Sequence, residues 1–348
     1  MGRRVLVTGL GSFWGGRVAQ ALESDPSVDV IVGLDTREPT VELERTEFVR
    51  TDEGYSILSR IVRATQVDTI VHTFLVVDSS LASSRHVHEI NVIGTMNLFA
   101  AASQPESRVT DVVVKSSTLV YGSTYRDPVW FAEDTPRSSS PRHRVERSLI
   151  EVEAYVRDYA LDNPQVAVST LRFSNVLGSD IVTPITRALT LPLVPAVFGF
   201  DPRLQFVHED DVVRAIMFVL DRRLGGVFNV AGDGLLPWSE VAAICAKRLA
   251  PLPPFGSRLY ARPLARLGVD LPPELIELLT YGRGVDNRRL KRAGFEYQTT
   301  SAGAVRSFAE AARLRGALGR ADRPPYHYER DVEDFFRHSP AVVREQRG

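Results

Sequence analysis

The sequence has very little cysteine and almost no net charge. Cys245 is the single cysteine among 348 residues, so no disulfide bond can form within one chain, and we expect a reducing compartment. The formal net charge is −1, which disfavours binding of nucleic acid through bulk electrostatics. These two absences exclude a disulfide-stabilised scaffold and argue against a polyanion-binding protein.

Long apolar runs and lysines are also scarce. The most apolar stretch, residues 189–200, contains two prolines and is too short to cross a bilayer. The first predicted strand begins by about residue 3, which leaves no room for a signal peptide. We therefore expect a cytoplasmic protein that does not bind membranes. Lysine occurs only at positions 115, 247 and 291, so any role that needs a lysine has three candidates.

The most informative segment is residues 5–15, Val-Leu-Val-Thr-Gly-Leu-Gly-Ser-Phe-Trp-Gly. Apolar β-formers lead into small residues at Gly9, Gly11 and Gly15, and an amphipathic stretch follows. A strand, a tight turn and a helix start in this order place backbone N–H groups where a pyrophosphate can bind. Asp35 ends a second apolar run, where a carboxylate can accept hydrogen bonds from a ribose. The segment therefore predicts dinucleotide binding.

The first half of the chain alternates strands with helices. The strands are predicted at 5–8, 29–34, 47–49, 69–72, 112–116 and 168–172, and the helices at 15–23, 55–64, 84–102 and 144–160. This alternation predicts an α/β fold with a doubly wound, Rossmann-like parallel sheet.

The alternation stops after residue 178, where prolines predict a loop-like segment, and a helix at 210–220 and a strand at 227–230 then rejoin the sheet. The expected domains are a dinucleotide-binding domain at 1–178 completed by about 206–232, a smaller C-terminal substrate lobe at 179–205 and 233–300, and a C-terminal helix and extended tail at 301–348.

Further short motifs follow in chain order. They include Ser-Ser-Thr-Leu-Val-Tyr-Gly at 116–122, Leu-Arg-Phe-Ser-Asn-Val-Leu-Gly at 171–178 and Phe-Val-His-Glu-Asp-Asp-Val at 206–212. In this order they resemble the extended short-chain dehydrogenase/reductase family, the NAD-dependent epimerase/dehydratases, over about residues 3–310. The chain is most similar to actinobacterial members described as UDP-glucose 4-epimerase-like. The resemblance implies NAD as cofactor, a small-molecule substrate, and a homodimer formed through helices 84–102 and 144–160.

The resemblance also assigns residues to the cofactor. The implied NAD-binding residues are Gly9, Ser12, Phe13, Trp14, Gly15, Asp35, Thr36, Asp52, His72, Asn91 and Ser116. A carboxylate at Asp35 would repel a 2′-phosphate, which favours NAD over NADP. Ser12 stands where a middle glycine is usual, and we expect strain there if its φ is positive, although its hydroxyl can donate to phosphate.

The catalytic pattern of the family is incomplete. Ser117 matches the hydroxyl residue that positions the substrate oxygen. The tyrosine and lysine, spaced i, i+4 at the start of a helix near residue 143, are both absent, and the best alignment places His143 and Arg147 there, with Arg144 as a competitor. A histidine can shuttle a proton near neutral pH, and a cation one turn away is expected to lower its pKa. The alternatives are the phenols Tyr121 and Tyr125, or a protein without hydride chemistry.

Asn175 corresponds to a residue that contacts the diphosphate of a nucleotide-sugar in relatives, and Arg203 and Arg283 are candidate phosphate ligands. The acidic cluster at 208–211 is interpreted as a helix N-cap, so no metal site is expected. Three functions remain: an NAD-dependent epimerase or oxidoreductase for a nucleotide-sugar or similar bulky alcohol, a non-catalytic NAD-binding sensor or scaffold, and a steroid- or terpenoid-type alcohol dehydrogenase.

Overall fold

The computed structural model describes residues 2–52, 54–79, 84–255, 271–318, 329–330 and 332–343. Its strands are β1 (Arg3–Thr8), β2 (Val28–Asp35), β3 (Thr46–Arg50), β4 (Thr69–His72), β5 (Asp111–Ser117), β6 (Trp130–Phe131), β7 (Ala167–Phe173), β8 (Asn175–Leu177), β9 (Leu193–Val197), β10 (Arg203–Leu204), β11 (Phe206–His208), β12 (Gly226–Val230), β13 (Leu236–Pro237), β14 (Arg248–Leu252), β15 (Gly284–Val285) and β16 (Glu329–Arg330).

The helices of the described residues alternate with these strands. They are α1 (Phe13–Glu23), α2 (Tyr55–Thr65), α3 (Ser84–His88), α4 (Gly94–Ala102), α5 (Arg144–Asp162), α6 (Pro184–Thr190), α7 (Glu209–Asp221), α8 (Trp238–Ile244), α9 (Pro273–Tyr281), α10 (Arg288–Arg292), α11 (Ser301–Leu318) and α12 (Val332–His338). None of them is long and apolar enough to cross a membrane.

A parallel sheet of eight strands forms the centre of the molecule. The strand order is β12-β7-β5-β4-β1-β2-β3-β16, so the chain reverses its direction of travel across the sheet between β3 and β4. Ligands of such sheets bind outside the carboxyl ends of the strands at this reversal. The order confirms the predicted α/β, doubly wound fold.

Both faces of the sheet are covered, because side chains of one strand alternate between two cores. Leu6, Val112 and Val114 pack with α2, α4 and α5, whereas Val7 and Val113 pack with α1 and α7. A third core lies beyond the sheet and includes Phe206, Trp238, Leu275 and Phe308. The loops at the carboxyl ends of the strands lie between these three cores.

Two predicted segments differ from the structure. The helix predicted at 84–102 contains a π-helical turn at Glu89–Ile93, which separates α3 from α4. Residues 179–205, predicted as loop-like, contain α6 and β9. Pro184 occupies the first turn of α6, where its missing N–H costs nothing, and Thr183 caps the helix.

The predicted tail is ordered where the structure describes it. β16 adds to the outer edge of β3, with Glu329 opposite Phe48 and Arg330 opposite Val49. Farther on, Val343 donates its backbone N–H to the Ala64 carbonyl at 2.7 Å. The rest of the predicted tail, 319–328, 331 and 344–348, lies outside the described residues.

Candidate active site

The turn after β1 has the geometry of a phosphate-binding turn. Gly9 has φ +74°, and a Cβ on it would lie 2.8 Å from the Phe74 backbone. A Cβ on Gly15 would overlap the Gly9 carbonyl oxygen. Both positions therefore require glycine, and α1 begins directly after the turn with its N-terminal amides at the carboxyl end of β1.

The backbone of Ser12 is not strained, because the positive φ that would strain a serine is not adopted there. Ser12 has φ −78° and is the N-cap of α1, where its Oγ accepts a hydrogen bond from the Gly15 N–H at 3.1 Å. The hydroxyl donates to the Gly9 carbonyl at 2.6 Å. Ser12 therefore holds the turn together internally through its side chain.

Asp35 joins the end of β2 to the same turn. Its Oδ2 accepts the Gly11 N–H at 3.0 Å, and its Oδ1 accepts the Arg37 N–H at 2.9 Å. The carboxylate is 4% exposed. Each oxygen of a carboxylate can accept two hydrogen bonds, so Oδ2 still has capacity for a ribose hydroxyl. Thr36 lies beside it, with its Oγ1 3.4 Å from Asp35 Oδ1.

Among the other residues implied to bind NAD, His72 lies in the protein interior. Thr8 Oγ1 lies 2.6 Å from its Nδ1, and Thr95 Oγ1 lies 3.0 Å from its Nε2. Burial, with a contribution from the charge of Lys115, lowers the pKa of His72 to about 3. His72 is thus a neutral residue whose two ring nitrogens both have partners. The structure therefore does not favour a direct contact between His72 and the cofactor.

Asn91 connects the segment after β4 to the helix α5. Its side chain exchanges hydrogen bonds with the backbone of Val76 and donates to Ser148 Oγ at 3.2 Å. Asp52, by contrast, is exposed and accepts a hydrogen bond from the Gly54 N–H at 3.2 Å. Asn91 therefore positions backbone, whereas the Asp52 side chain lies at the surface beyond β3.

A cleft that is partly open to solvent lies at the carboxyl ends of β5 and β7. Its lining includes Trp14 from the start of α1, Ser116 and Ser117 from β5, and Asn175 from β8. Residues of α6 and α9 form the opposite wall. The cleft therefore connects the predicted cofactor turn with the predicted substrate residues.

Most of the lining is apolar. The Trp14 and Phe173 rings are nearly parallel, with an interplanar angle of 19° and centroids 6.2 Å apart. The other apolar residues of the lining are Val77, Leu119, Val176, Ile181, Pro184, Ile185, Leu275 and Leu278. Few polar groups in an apolar cleft are typical of small-molecule sites, because they fix the orientation of a bound ligand.

Three charged residues line the cleft: Lys115, Glu274 and Arg283. The Lys115 Nζ donates to the Leu75 carbonyl at 3.2 Å. Glu274 Oε1 accepts the Ser79 N–H at 3.0 Å, while its buried Oε2 has no hydrogen-bond partner among the described residues. Glu274 was not predicted from the sequence, because no motif marks it. Lys115 was tested in the sequence only as the lysine of a tyrosine–lysine pair on a helix.

Arg283 is almost fully buried at the cleft, 7% exposed. Its Nη2 donates to Ser123 Oγ at 3.2 Å, and its buried Nε has no acceptor in the part of the chain that the structure describes. Burial lowers the pKa of Arg283 to about 10, which leaves it positively charged at neutral pH. A buried guanidinium with an unused donor is suited to a phosphate or carboxylate.

The helix α5 does not bring His143 and Arg147 to this cleft. His143 is the N-cap residue of α5, Arg147 is exposed, and neither lies in the cleft lining. The i, i+4 pair that α5 buries against the sheet is Val145 and Leu149, which are 1% and 0% exposed. The competitor Arg144 is exposed as well.

The expected lowering of the His143 pKa is wrong. Its Nε2 lies 3.1 Å from Glu277 Oε2 on α9. Burial disfavours the charged ring, but the hydrogen bond and charge of Glu277 outweigh it and raise the pKa of His143. The charge that dominates the His143 pKa is the Glu277 carboxylate on another helix, and the spacing of residues along α5 cannot reveal it.

His143, Glu146 and Glu277 place one ligand-type atom each within 4.8 Å of one another. The positions are already neutralised by cations, since Arg137 Nη2 donates to Glu146 at 2.7 Å and Arg142 Nη1 to Glu277 at 3.2 Å. This is the arrangement of an ion-pair network rather than of a metal site.

The two alternative phenols lie outside the cleft lining. Tyr121 is buried, donates to Asn229 Oδ1 at 2.8 Å and accepts from Arg172 at 2.7 Å. Its pKa is raised, chiefly by burial. Tyr125 is 67% exposed. Arg172 also binds Glu153 on α5, which accepts the Ser116 hydroxyl at 2.5 Å, so Ser116 is held by a structural network.

Two of the predicted substrate residues line the cleft in the structure, and the third does not. Asn175 lines the cleft, and its Nδ2 donates to the Gln205 carbonyl at 2.9 Å. Arg203 is exposed and lies outside the cleft lining, whereas Arg283 lines it. The candidate arginine at the cleft is therefore Arg283. Ser117, also at the cleft, accepts the Leu119 N–H at 3.2 Å through its Oγ.

A parallel sheet with a glycine turn, an acid at the end of β2 and a cleft at the strand ends defines a dinucleotide-binding α/β protein. A family model for the NAD dependent epimerase/dehydratase family matches residues 5–231. The chain belongs to this family, which confirms the expected resemblance and agrees with NAD as the expected cofactor.

Relatives are found among curated proteins. An uncharacterized protein of Mycobacterium tuberculosis is 33% identical over 319 residues, which cover 90% of this chain and 84% of that protein. UDP-glucose 4-epimerase 3 of Oryza sativa subsp. japonica is 27% identical over 138 residues, 39% of this chain and 35% of the rice protein.

Among solved structures, UDP-glucuronic acid 4-epimerase from Bacillus cereus in complex with NAD has the same fold. Its TM-score is 0.71 at 15% identity, with 92% of this chain and all of that chain covered.

Proposed function

We propose that this protein is an enzyme that uses NAD to oxidise, and then re-reduce, a secondary alcohol of a nucleotide-linked sugar. A small-molecule substrate of this kind is bound by relatives of known structure, among them MoeE5 in complex with UDP-glucose and NAD. The proposal for this chain depends on its own site and not on that similarity alone.

The observation that carries the proposal is the composition of the cleft. Trp14, at the end of the glycine turn, lines it together with Ser117, Asn175 and Arg283. A dinucleotide on the turn and a diphosphate ligand near Arg283 would therefore meet in one space. The unused donor of Arg283 supports an anionic ligand, because a buried donor without an acceptor is costly.

The residues at the turn fit NAD. Gly9 and Gly15 allow the tight turn that places the N-terminal amides of α1 where a pyrophosphate can bind, and Asp35 Oδ2 keeps acceptor capacity for a ribose hydroxyl. NAD supplies a hydride acceptor when it is bound. Ser117 is the hydroxyl that orients the substrate oxygen, and Asn175 and Arg283 hold the phosphate end of the substrate.

The remaining assignments are part of the same proposal. We place the cofactor on residues 1–178 and about 206–232 and the substrate on the lobe at 179–205 and 233–300. We also propose that the protein acts in the cytoplasm as a homodimer. Sedimentation at micromolar concentration tests the dimer, and a monomer would contradict it.

Calorimetry tests the function directly. The wild-type protein is expected to bind NAD, and to bind UDP-glucose or UDP-glucuronic acid in its presence. We expect Asn175→Ala to weaken UDP-sugar binding about tenfold or more while NAD binding is retained, since one polar contact is worth roughly 1.4 kcal/mol or more. Arg203→Ala is the matched control and should change neither affinity. Absence of NAD binding in the wild type would refute the proposal.

A second candidate is favoured by the apolar walls of the cleft. Ile181, Ile185, Leu275 and Leu278 suit the hydrocarbon body of a steroid- or terpenoid-type alcohol. Such a substrate makes no use of Arg283. NAD reduction by apolar alcohols, unchanged in Arg283→Gln, would support this second function over the first.

A further inference from the structure

Helix α5 contributes no residue to the cleft lining, and its Glu153, which accepts the Ser116 hydroxyl, is held in an ion pair with Arg172. Its sheet-facing residues Val145 and Leu149 are hydrocarbon, and Arg147 points into solvent. Oxidation of an alcohol nevertheless requires an acceptor for the hydroxyl proton. The acceptor must therefore come from another element that reaches the cleft.

Lys115 on β5 is the amine that reaches it. Lys115 and Ser117 both line the cleft, and as residues i and i+2 of one strand they project to the same side of the sheet. Their Cα atoms are therefore about 7 Å apart, a distance that the four-carbon side chain of lysine can span. Lysines 247 and 291 are not in the cleft lining.

The surroundings of Lys115 favour a neutral amine. The side chain is 6% exposed, and its Nζ donates to the Leu75 carbonyl. No carboxylate of the described residues lies within ion-pair distance of Nζ. The Glu274 carboxylate at the cleft accepts the Ser79 N–H through Oε1, and its Oε2 has no hydrogen-bond partner among the described residues. Burial lowers the pKa of Lys115 to about 8, within reach of neutral pH. The neighbouring His72 is uncharged, and Arg283 is a fixed cation of the same cleft.

We infer that Lys115 is the proton acceptor of the site, acting through the hydroxyl of Ser117. This inference rests on the proposed function. The substrate O–H proton passes to Ser117 Oγ as the Ser117 proton forms a new N–H bond on the neutral Lys115 amine. NAD, when bound at the turn, would take the hydride from the substrate C–H bond, so that the alcohol would become a carbonyl group. When the hydride and the proton return to the substrate, the alcohol and the neutral Lys115 amine are restored.

The first test needs no turnover, because the chain has only three lysines. Pulse labelling with acetic anhydride across pH 6–11, followed by mass spectrometry, measures the reactivity of each amine. Lys115 is expected to label with a midpoint about 8, and saturating NAD should protect it several-fold. Lys247 and Lys291 serve as internal controls that NAD leaves unprotected. Unreactive Lys115, or labelling that NAD does not change, overturns the inference.

The second test uses Lys115→Met, Lys115→Arg and the control Lys247→Met. The signal is reduction of bound NAD by UDP-glucose at 340 nm. Loss of a general base costs about 100-fold or more, so Lys115→Met is expected to be slow and Lys247→Met normal. Lys115→Arg should also be slow, because arginine keeps the charge but cannot accept the proton. Ethylamine is expected to restore part of the rate to Lys115→Ala.

These results separate the two proposals. If wild type and Lys115→Met reduce NAD equally, the Lys115 inference is wrong and the proposed function stands. If Lys115→Arg remains active, Lys115 acts by its charge, and the proton-transfer role is wrong. If the wild type binds NAD and no UDP-sugar reduces it, the nucleotide-sugar function fails, and the labelling result decides the role of Lys115. Melting temperatures of all variants show whether each is folded.

Discussion

The Gly11 N–H donates a hydrogen bond to Asp35 Oδ2 at 3.0 Å, and this contact joins the first turn of the chain to the end of the second strand. The carboxylate is thereby oriented by backbone that lies within the cofactor turn itself. Asp35 consequently holds the turn, and under the proposed function it also receives a ribose, so substitutions there are expected to affect both.

Replacement of Asp35 by asparagine tests these tasks. We expect Asp35→Asn to weaken NAD binding about tenfold or more, because a hydrogen bond to a charged acceptor is worth about 1.5–3 kcal/mol. The preference for NAD over NADP should also narrow, since the repulsion of the 2′-phosphate is removed. Fluorescence titration with NADH and NADPH measures both effects. The surface variant Asp158→Asn should bind like wild type, and an unchanged NAD affinity in Asp35→Asn would contradict the assignment.

Gly15→Ala is expected to disrupt the turn. A methyl group at this position overlaps the Gly9 carbonyl, so the backbone must move. We predict a loss of about 1–3 kcal/mol in the free energy of unfolding and a loss of NAD binding. Gly225→Ala is the matched control, because its Cβ would lie 3.9 Å from the Val168 carbonyl, an ordinary contact. Urea denaturation compares the two, and equal stabilities would show that the turn tolerates a side chain.

The His143–Glu277 pair predicts a pH-dependent stability. The pKa of His143 is raised from 6.5, so its contribution is present below pH 6.5 and is lost as pH rises through the folded pKa. The pKa of Glu277 is lowered despite burial, chiefly by its hydrogen bond to His143, so its contribution is lost as pH falls below 4.5. The pair should therefore stabilise most between these values.

The measurement is the unfolding free energy of wild type and His143→Gln from pH 5 to pH 9. The difference between them should be largest near pH 5–6 and shrink toward alkaline pH. His88→Gln removes a histidine at the surface, 53% exposed, and is expected to show little pH dependence. A difference that grows with pH would reverse the sign and contradict the pairing.

Asn91 is predicted to stabilise the segment after β4. Asn91→Ala leaves the N–H and C=O of Val76 without their partner, and each unsatisfied buried group costs about 1–3 kcal/mol. Ser148→Ala removes the 3.2 Å bond from Asn91 and the bond from the Ser148 hydroxyl to the Val145 carbonyl, but it leaves both Val76 groups partnered and should cost less. Hydrogen exchange at the Val76 amide gives a local readout, and unchanged protection in Asn91→Ala would show that other contacts hold the segment.

Local patterns were sufficient to predict the sheet and its turn. Strands such as 112–116 begin with a continuous apolar run, here residues 112–114, and the spacing from Gly9 to Asp35 lies within one β-α-β unit. Both features depend on residues that are close together in the chain, so they can be predicted from the sequence. The capping role of Ser12 and the π-helical turn at Glu89–Ile93 depend on backbone angles that residue types alone do not determine.

The cleft was harder to predict, because its walls come from distant parts of the chain. Glu274 and Arg283 reach it from a segment that carries no motif, and Lys115 is buried only because the sheet and its neighbours close around it. The partner of His143 is likewise on another helix, 134 positions away in the sequence. Such contacts follow from the assembled cores, which is why the proton carrier suggested by helical spacing differs from the one inferred from the structure.

The edge strand formed by Glu329 and Arg330 bears on how the molecule is made. Its partner, β3, lies far earlier in the chain and is synthesised well before the strand that covers it. Until that strand arrives, the sheet exposes an unpaired border that is able to recruit another chain. Pairing of Glu329 and Arg330 with β3 closes the border, so this short strand guards the sheet against misassembly.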